Sequence, residues 1–442
     1  MKKVFVYLLA VVAFLGFVST ASAGPVVTIG NTSLSVGGFI LGYYGESYNQ
    51  SLVSAQADNP GMINSNVDNT TRFSGTLAFT RLWANLDNKP EGLTGYVSLD
   101  FNGGGIQGTD QGIRLRRAYL VKSFCSGNCD YSPWIEIGQD YNLGQPVGFT
   151  LAAYQNAGLA GDEASVPIWV PQVDFGVKFK SGNVELNPEI AIMDLQGESG
   201  SENYTTFMNS TSFATYESAS TVNATIPGFG IKLPLTFKTG FGAPSSIYVA
   251  YEDQDVNVNA VPAILAPKKT MNGYSIGGGL TIPVSYVTLV GDIQYTNGMT
   301  GLNTILLNTL GTGGVAYTPS SYYWNGNNLQ STKAVQWDAQ AQVHLNKFIG
   351  APVTVAGGYS QVSFHNYQDD QNLNLGNSYA AWSAYSSAPV DKTDSIFVNV
   401  EWNVTKSMML GLEWDNNRTN YSVDSDQSFN SNALYMVGMY SF

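Results

Sequence analysis

The chain has 442 residues, a formal net charge of −13 and a pI near 4.5. That acid excess argues against nucleic acid and anionic lipid headgroups as main partners and permits surfaces that attract cations. With two cysteines and two histidines, His344 and His365, the chain has few soft ligands, so neither a metal nor a cofactor is expected.

At the start, Lys2 and Lys3, the apolar run Val4 to Val18 and the small residues Ala21-Ser22-Ala23 have the three parts of a secretory leader. An anchoring helix is the alternative reading, but the apolar run is short for a span and stops at a good cleavage site. Residues 1–23 are therefore expected to be removed. Residues 24–442 would remain, starting at Gly24, with a charge near −15 once the two leader lysines are gone.

Beyond Gly24 no apolar run is long enough to cross a membrane as a helix. Alternation with a period of two takes its place, as expected when successive side chains of a strand face opposite ways. Val173, Phe175, Val177 and Phe179 alternate with Asp174, Gly176, Lys178 and Lys180. From Val335 to Asn346, Val335, Trp337, Ala339, Ala341 and Val343 oppose Gln336, Asp338, Gln340, Gln342 and His344. Near the C-terminus Ile396, Val398, Val400 and Trp402 oppose Phe397, Asn399, Glu401 and Asn403, and Leu410, Leu412 and Trp414 oppose Gly411, Glu413 and Asp415.

In chain order, strands are expected near 33–48, 72–87, 93–101, 112–122, 132–140, 172–181, 183–195, 226–238, 246–256, 272–283, 285–296, 333–347, 351–364, 393–404, 406–416 and 433–442. A soluble sandwich alternates too, so period alone does not decide the class. The linkers do. Short ones (Asn88 to Gly92, Ser181-Gly182, the region of Pro283, Phe348 to Gly350, Thr405) alternate with long ones at 49–71, 141–171, 196–225, 257–271, 297–332, 365–392 and 417–432. That asymmetry, with an even strand count, predicts an all-β fold: a transmembrane antiparallel barrel of about sixteen strands. No plug segment is expected ahead of the first strand. Aromatic residues near strand ends (Tyr43, Tyr44, Tyr96, Trp134, Trp402, Trp414, Tyr440) fit interfacial girdles.

Cys125 and Cys129 enclose a short turn, and in an oxidising compartment a disulfide is the favoured reading. A metal site there lacks further ligands. Gly103-Gly104-Gly105 and Gly277-Gly278-Gly279 do not precede helices, which excludes phosphate loops. No catalytic residues are expected either: His344 and His365 lack a nucleophile motif.

The chain ends in Tyr440-Ser441-Phe442 on an alternating strand. This ending resembles the C-terminal assembly signal of bacterial outer-membrane proteins, and the resemblance implies recognition of Tyr440 and Phe442 by the barrel-assembly machinery. A second resemblance covers residues 72 to 165. Arg114-Leu115-Arg116-Arg117-Ala118-Tyr119-Leu120, a turn, then Trp134-Ile135-Glu136-Ile137-Gly138-Gln139-Asp140-Tyr141 is similar to the fourth and fifth strands of trimeric general porins. It implies a homotrimer in outer-membrane lipid. It also implies a loop, 141–171, folded into the barrel, with Asp162 and Glu163 at its acidic tip.

Such a pore would pass small hydrophilic solutes and ions by passive diffusion, selecting by charge at its narrowest part. On strand 72–87 the apolar residues change face, and a bulge near Thr80 would turn both Arg72 and Arg81 inward. With Ile113 and Leu115 facing lipid, Arg114 and Arg116 face inward. Arg117 then requires either a second bulge or burial at a subunit contact. A constriction of Arg72, Arg81, Arg114 and Arg116 against Asp162 and Glu163 is the sharper reading. Ordinary ion pairing of these arginines with Glu136, Asp174, Glu185 or Glu189 is the plainer one. Lys178, Asp338, His344, Glu401 and Glu413 complete the expected lumen lining. Cation preference follows from the acid excess. A selective pore for a sugar, organic acid or oxyanion, and a closed structural or adhesive barrel, are the alternatives.

Overall fold

A computed structural model of the protein describes residues 26–48, 71–77, 80–101, 113–125, 129–144, 169–195, 222–224, 226–240, 243–258, 269–298, 322–325, 328–331, 333–365, 390–421 and 424–442. Apart from a separate hairpin, Tyr322–Asn325 with Asn328–Ser331, antiparallel ladders join its described strands into one sheet that closes on itself as a barrel of sixteen staves. In chain order these are β1 (Thr32–Tyr48), β2 (Thr71–Thr76 with Arg81–Asn88), β3 (Leu93–Asp100), β4 (Arg114–Ser123) and β5 (Tyr131–Tyr141). Next come β6 (Trp169–Ser181), β7 (Val184–Leu186 with Glu189–Met193), β8 (Gly228–Phe237), β9 (Ser245–Val258), β10 (Lys269–Val284) and β11 (Val287–Asn297). The last are β12 (Lys333–His344), β13 (Val353–His365), β14 (Val390–Asn403), β15 (Met408–Tyr421) and β16 (Asp424–Ser441). Closure runs from Phe39↔Ser441 to Tyr48↔Asn432 between β1 and β16. A short strand, Val26–Ile29, folds back on β1 with Val26 opposite Ser35. It follows β16 along the same edge, just beyond Phe442, whose backbone N–H donates to Gly38 O at 3.0 Å.

The side chains are sorted opposite to those of a soluble protein. Outward positions such as Ile190, Ile192, Val249 (54% exposed), Ile276 and Ile293 (56% exposed) are large, apolar and uncovered. Inward positions, among them Asp174, Glu252, Gln254, Ser275, Gln294, Gln336 and Glu413, are polar and buried. In water this arrangement is unfavourable. In lipid each outward Leu, Ile, Val or Phe gains about 1.5–3 kcal/mol relative to exposure, and closure leaves no edge unpaired. Tyr251, Tyr274 and Tyr295 stack side by side on β9–β11, with centroids 6.4 and 6.0 Å apart, as expected at one end of an apolar band.

Short connections follow local rules. Between β2 and β3, Asn88 Oδ1 accepts from Glu91 N, and Gly92 at φ +62° ends the single turn by donating to Lys89 O. Cys125 and Cys129 are joined by a disulfide in the turn between β4 and β5.

Two register shifts place the arginines. Phe39 and Tyr43 of β1 face Arg81 and Thr76 of β2, so four steps on one strand meet five on the other. The extra residue lies in Leu77–Thr80, where Thr80 N donates to Leu77 O at 3.0 Å. On β4, Ser98 faces Arg117 while Leu99 faces Leu115, which leaves Arg116 as the bulged residue.

One expected loop is corrected. Positions 417–432 are not a long loop, because β15 and β16 stay paired from Asn417↔Ser431 to Tyr421↔Asp424. The alternation of Asn, Thr, Ser and Asp there is polar on both faces, which hides a strand that stands clear of lipid.

Candidate functional site

The most highly charged part of the inner wall lies on β2 to β5. Asp100, at the end of β3 and wholly buried, accepts from Arg114 Nε at 3.0 Å and Nη2 at 2.7 Å, and from Arg116 Nη1 at 2.8 Å. The bidentate fork fixes the guanidinium plane of Arg114, and Arg116 shares Oδ2 through a single bond. Trp169, where β6 begins, stacks beneath them, with Arg116 Cζ 4.3 Å and Arg114 Cζ 5.0 Å from its ring. Arg81 pairs in register with Asp100 and lies 5.3 Å over the Phe39 ring. Its Nε has no hydrogen-bond partner among the described residues.

The bulge at Arg116 also turns Arg117 to the inside, on the row of Ser98. There it ion-pairs with Asp140 through Nε and donates from Nη2 to Asp140 Oδ2 at 2.8 Å. The rings of Tyr96, Tyr119 and Tyr141 enclose its guanidinium at 5.0, 5.1 and 4.8 Å. Arg117 therefore needs no subunit contact to be accommodated.

The plainer sequence expectation named the wrong partners for the arginines. Asp100 and Asp140 hold them, while Glu185 pairs with Lys178 and Lys180 at 3.4 Å each near the short turn. Glu136 and Asp174 are inward neighbours on β5 and β6, and Glu189 faces Lys232 across β7 and β8. Parity with Tyr96 and Ser98 could have revealed Asp100. The register against β4 could not be read from one strand.

Half-way round the ring the wall is acidic. Asp292 and Asp338 face each other on β11 and β12, with Asp292 N donating to Asp338 Oδ1 at 3.0 Å and Gln340 Nε2 to Asp338 Oδ2 at 3.0 Å. Glu401 and Glu413 are buried on β14 and β15, the latter accepting from Asn399 Nδ2 at 2.8 Å. His344 ends β12 with Nε2 2.9 Å from Thr288 Oγ1.

Inside the barrel, Asn142 to Gly144 leave β5 and run along the inner wall as far as β9. Asn142 Nδ2 donates to Glu252 on β9 at 2.9 and 3.2 Å, and Gly144 N donates to Glu252 Oε2 at 3.1 Å. Asp162 and Glu163 lie outside the described residues, as do 1–23. Arg72, on β2, pairs with Ser47 of β1, and its side chain is likewise outside them. Tyr440 lies opposite Met408 and Ile40.

No protein-family model matches the chain, and no curated protein sequence does. Solved structures do. The outer membrane channel DcaP of Acinetobacter baumannii is 16% identical, with 95% of this chain and 100% of that chain covered and a TM-score of 0.62. OprB of Pseudomonas putida is 11% identical, with 92% and 94% covered and a TM-score of 0.51. At such identities the likeness is one of fold. The protein is a closed antiparallel β-barrel of the transmembrane type. Its sixteen-stranded fold is similar to that of the outer membrane channel DcaP.

Proposed function

We propose that this protein is an outer-membrane porin, a water-filled channel for passive diffusion of small hydrophilic solutes and ions with a weak preference for cations. The observation that carries the reading is the sorting of side chains: sixteen staves present polar and charged groups inward and large apolar groups outward. Sixteen strands enclose more space than their own side chains fill. Inward acids on β3, β5, β6, β7, β9, β11, β12, β14 and β15 outnumber the inward arginines and lysines, which supports cation preference. The reading includes removal of residues 1–23, a homotrimer, assembly through Tyr440 and Phe442, and narrowing of the lumen by 141–171 with Asp162 and Glu163 facing the arginines.

A second reading, a pore selective for an organic acid or oxyanion, is favoured by one feature. Arg81, Arg114 and Arg116 gather around the single carboxylate of Asp100, leaving a local excess of positive charge.

Planar-bilayer recording of the purified mature protein tests both. Stepwise ohmic conductance with a reversal potential on the cation side of zero is the expected result. A reversal potential favouring chloride, with saturable block by small organic anions, would replace it by the second reading. The absence of conductance steps would leave a closed structural barrel.

A further inference from the structure

We propose that Glu252 is a latch that seats Asn142 to Gly144, the three residues that leave β5, against the inner wall and so sets the aperture, an inference that rests on the channel reading. Glu252 is on β9, four staves from β5, and is wholly buried on the inner wall. Its carboxylate accepts from the Asn142 amide and from the Gly144 backbone N–H. Both bonds are made to a carboxyl group buried away from water, so losing it leaves buried donors unpaired, which is costly.

Three neighbouring features require the same seat. Leu143, between the two donors, is buried among Val170, Ala191, Met193 and Leu195. Such an apolar nest is out of place on a wall of glutamines and carboxylates unless an apolar side chain fills it. Gly230 on β8 borders that nest, and a Cβ there would stand 3.5 Å from Leu143 Cβ. Gly144 is the third: a Cβ on it would come within 2.6 Å of Glu252 Oε1 and 3.0 Å of Gln294 Nε2, so only glycine brings the backbone this close to β9 and β11. Polar latch, apolar peg and glycine contact together hold Asn142 to Gly144 against the inner wall. Glu252 acts as a positioning residue, touching the segment and not the solute.

The test uses the full mature barrel carrying Leu143→Cys, in detergent and in planar bilayers. The native Cys125–Cys129 pair is oxidised and silent to maleimide. A seated Leu143→Cys thiol should react slowly with a bulky, charged maleimide. Adding Glu252→Ala should accelerate labelling about tenfold or more, the change in opening equilibrium expected from leaving buried hydrogen-bond donors unpaired. In bilayers, Glu252→Ala should give larger and noisier single-channel steps. Equal labelling rates with and without Glu252→Ala would overturn the latch. A labelling difference in a protein that never conducts would keep the latch and remove the channel reading. Should Glu252→Ala fail to fold, Gly144→Ala provides the same loosening. Leu143→Cys with Gly230→Cys should cross-link spontaneously, since the Cβ separation suits a disulfide, and failure to cross-link would overturn the proposal.

Discussion

Arg116 is 1% exposed, yet it carries a full charge, and Asp100 compensates it together with Arg114. A single carboxylate serving two guanidinium groups makes Asp100 the residue on which the basic wall depends. Asp100→Asn should destabilise the barrel by about 3–5 kcal/mol, because it leaves a buried arginine without its partner. Urea unfolding from detergent micelles measures this, and a loss below about 1 kcal/mol would mean that solvent reaches Arg116. The constriction reading makes a separate prediction. Arg114→Glu with Arg116→Glu should shift the reversal potential further toward cations, and an unchanged potential would show that these arginines do not border the aperture.

Among the elements, β4 carries the least regular pattern, and its bulge explains why three arginines can follow the apolar Ile113 within five positions without meeting lipid. Deleting Arg116 should straighten the strand and leave both faces intact, so the barrel still folds. Deleting Ala118 removes the same length but turns Arg117 outward, at about 2–4 kcal/mol for a charge at mid-bilayer. Heat-modifiable migration in gel electrophoresis distinguishes the two: the first variant keeps the folded band and the second loses it. On β6, Gly176 lies under the Trp134 ring, where a Cβ would stand 2.2 Å from it, and Trp134 Nε1 donates to Asn187 Oδ1 at 2.9 Å. Gly176→Ala should displace the indole, cost about 1–3 kcal/mol and change the tryptophan emission.

At the scale of the whole molecule, the apolar outer band and the polar interior are two consequences of one closed sheet. The mature protein should need detergent or lipid to stay monodisperse, and a monodisperse particle in plain buffer would contradict the membrane assignment. Charge is unevenly placed around the ring. Arginines stand on β2 to β4, and the Asp292–Asp338 pair stands half-way round, on β11 and β12. A field directed across the lumen follows from that placement, and polar solutes orient in it.

How much of this was legible in the sequence follows from what a strand encodes. Alternation is local, so all sixteen staves and the facing of Glu136, Asp174, Asp338, Glu401 and Glu413 could be read from the chain itself. Where alternation has no apolar face, as in 417–432, it carried no signal and the extensions of β15 and β16 were missed. Ion-pair partners are set by register between neighbours, and a bulge of one residue moves them. Hence Asp100 and Asp140, the inward turn of Arg117, and the reach of Asn142 and Gly144 to Glu252 were decided only when the sheet closed. The sequence by itself determined which side of each strand meets lipid, because transfer energy acts on one side chain at a time. Only the tertiary structure decided which charges meet, because that depends on how sixteen strands slide past one another before the ring shuts.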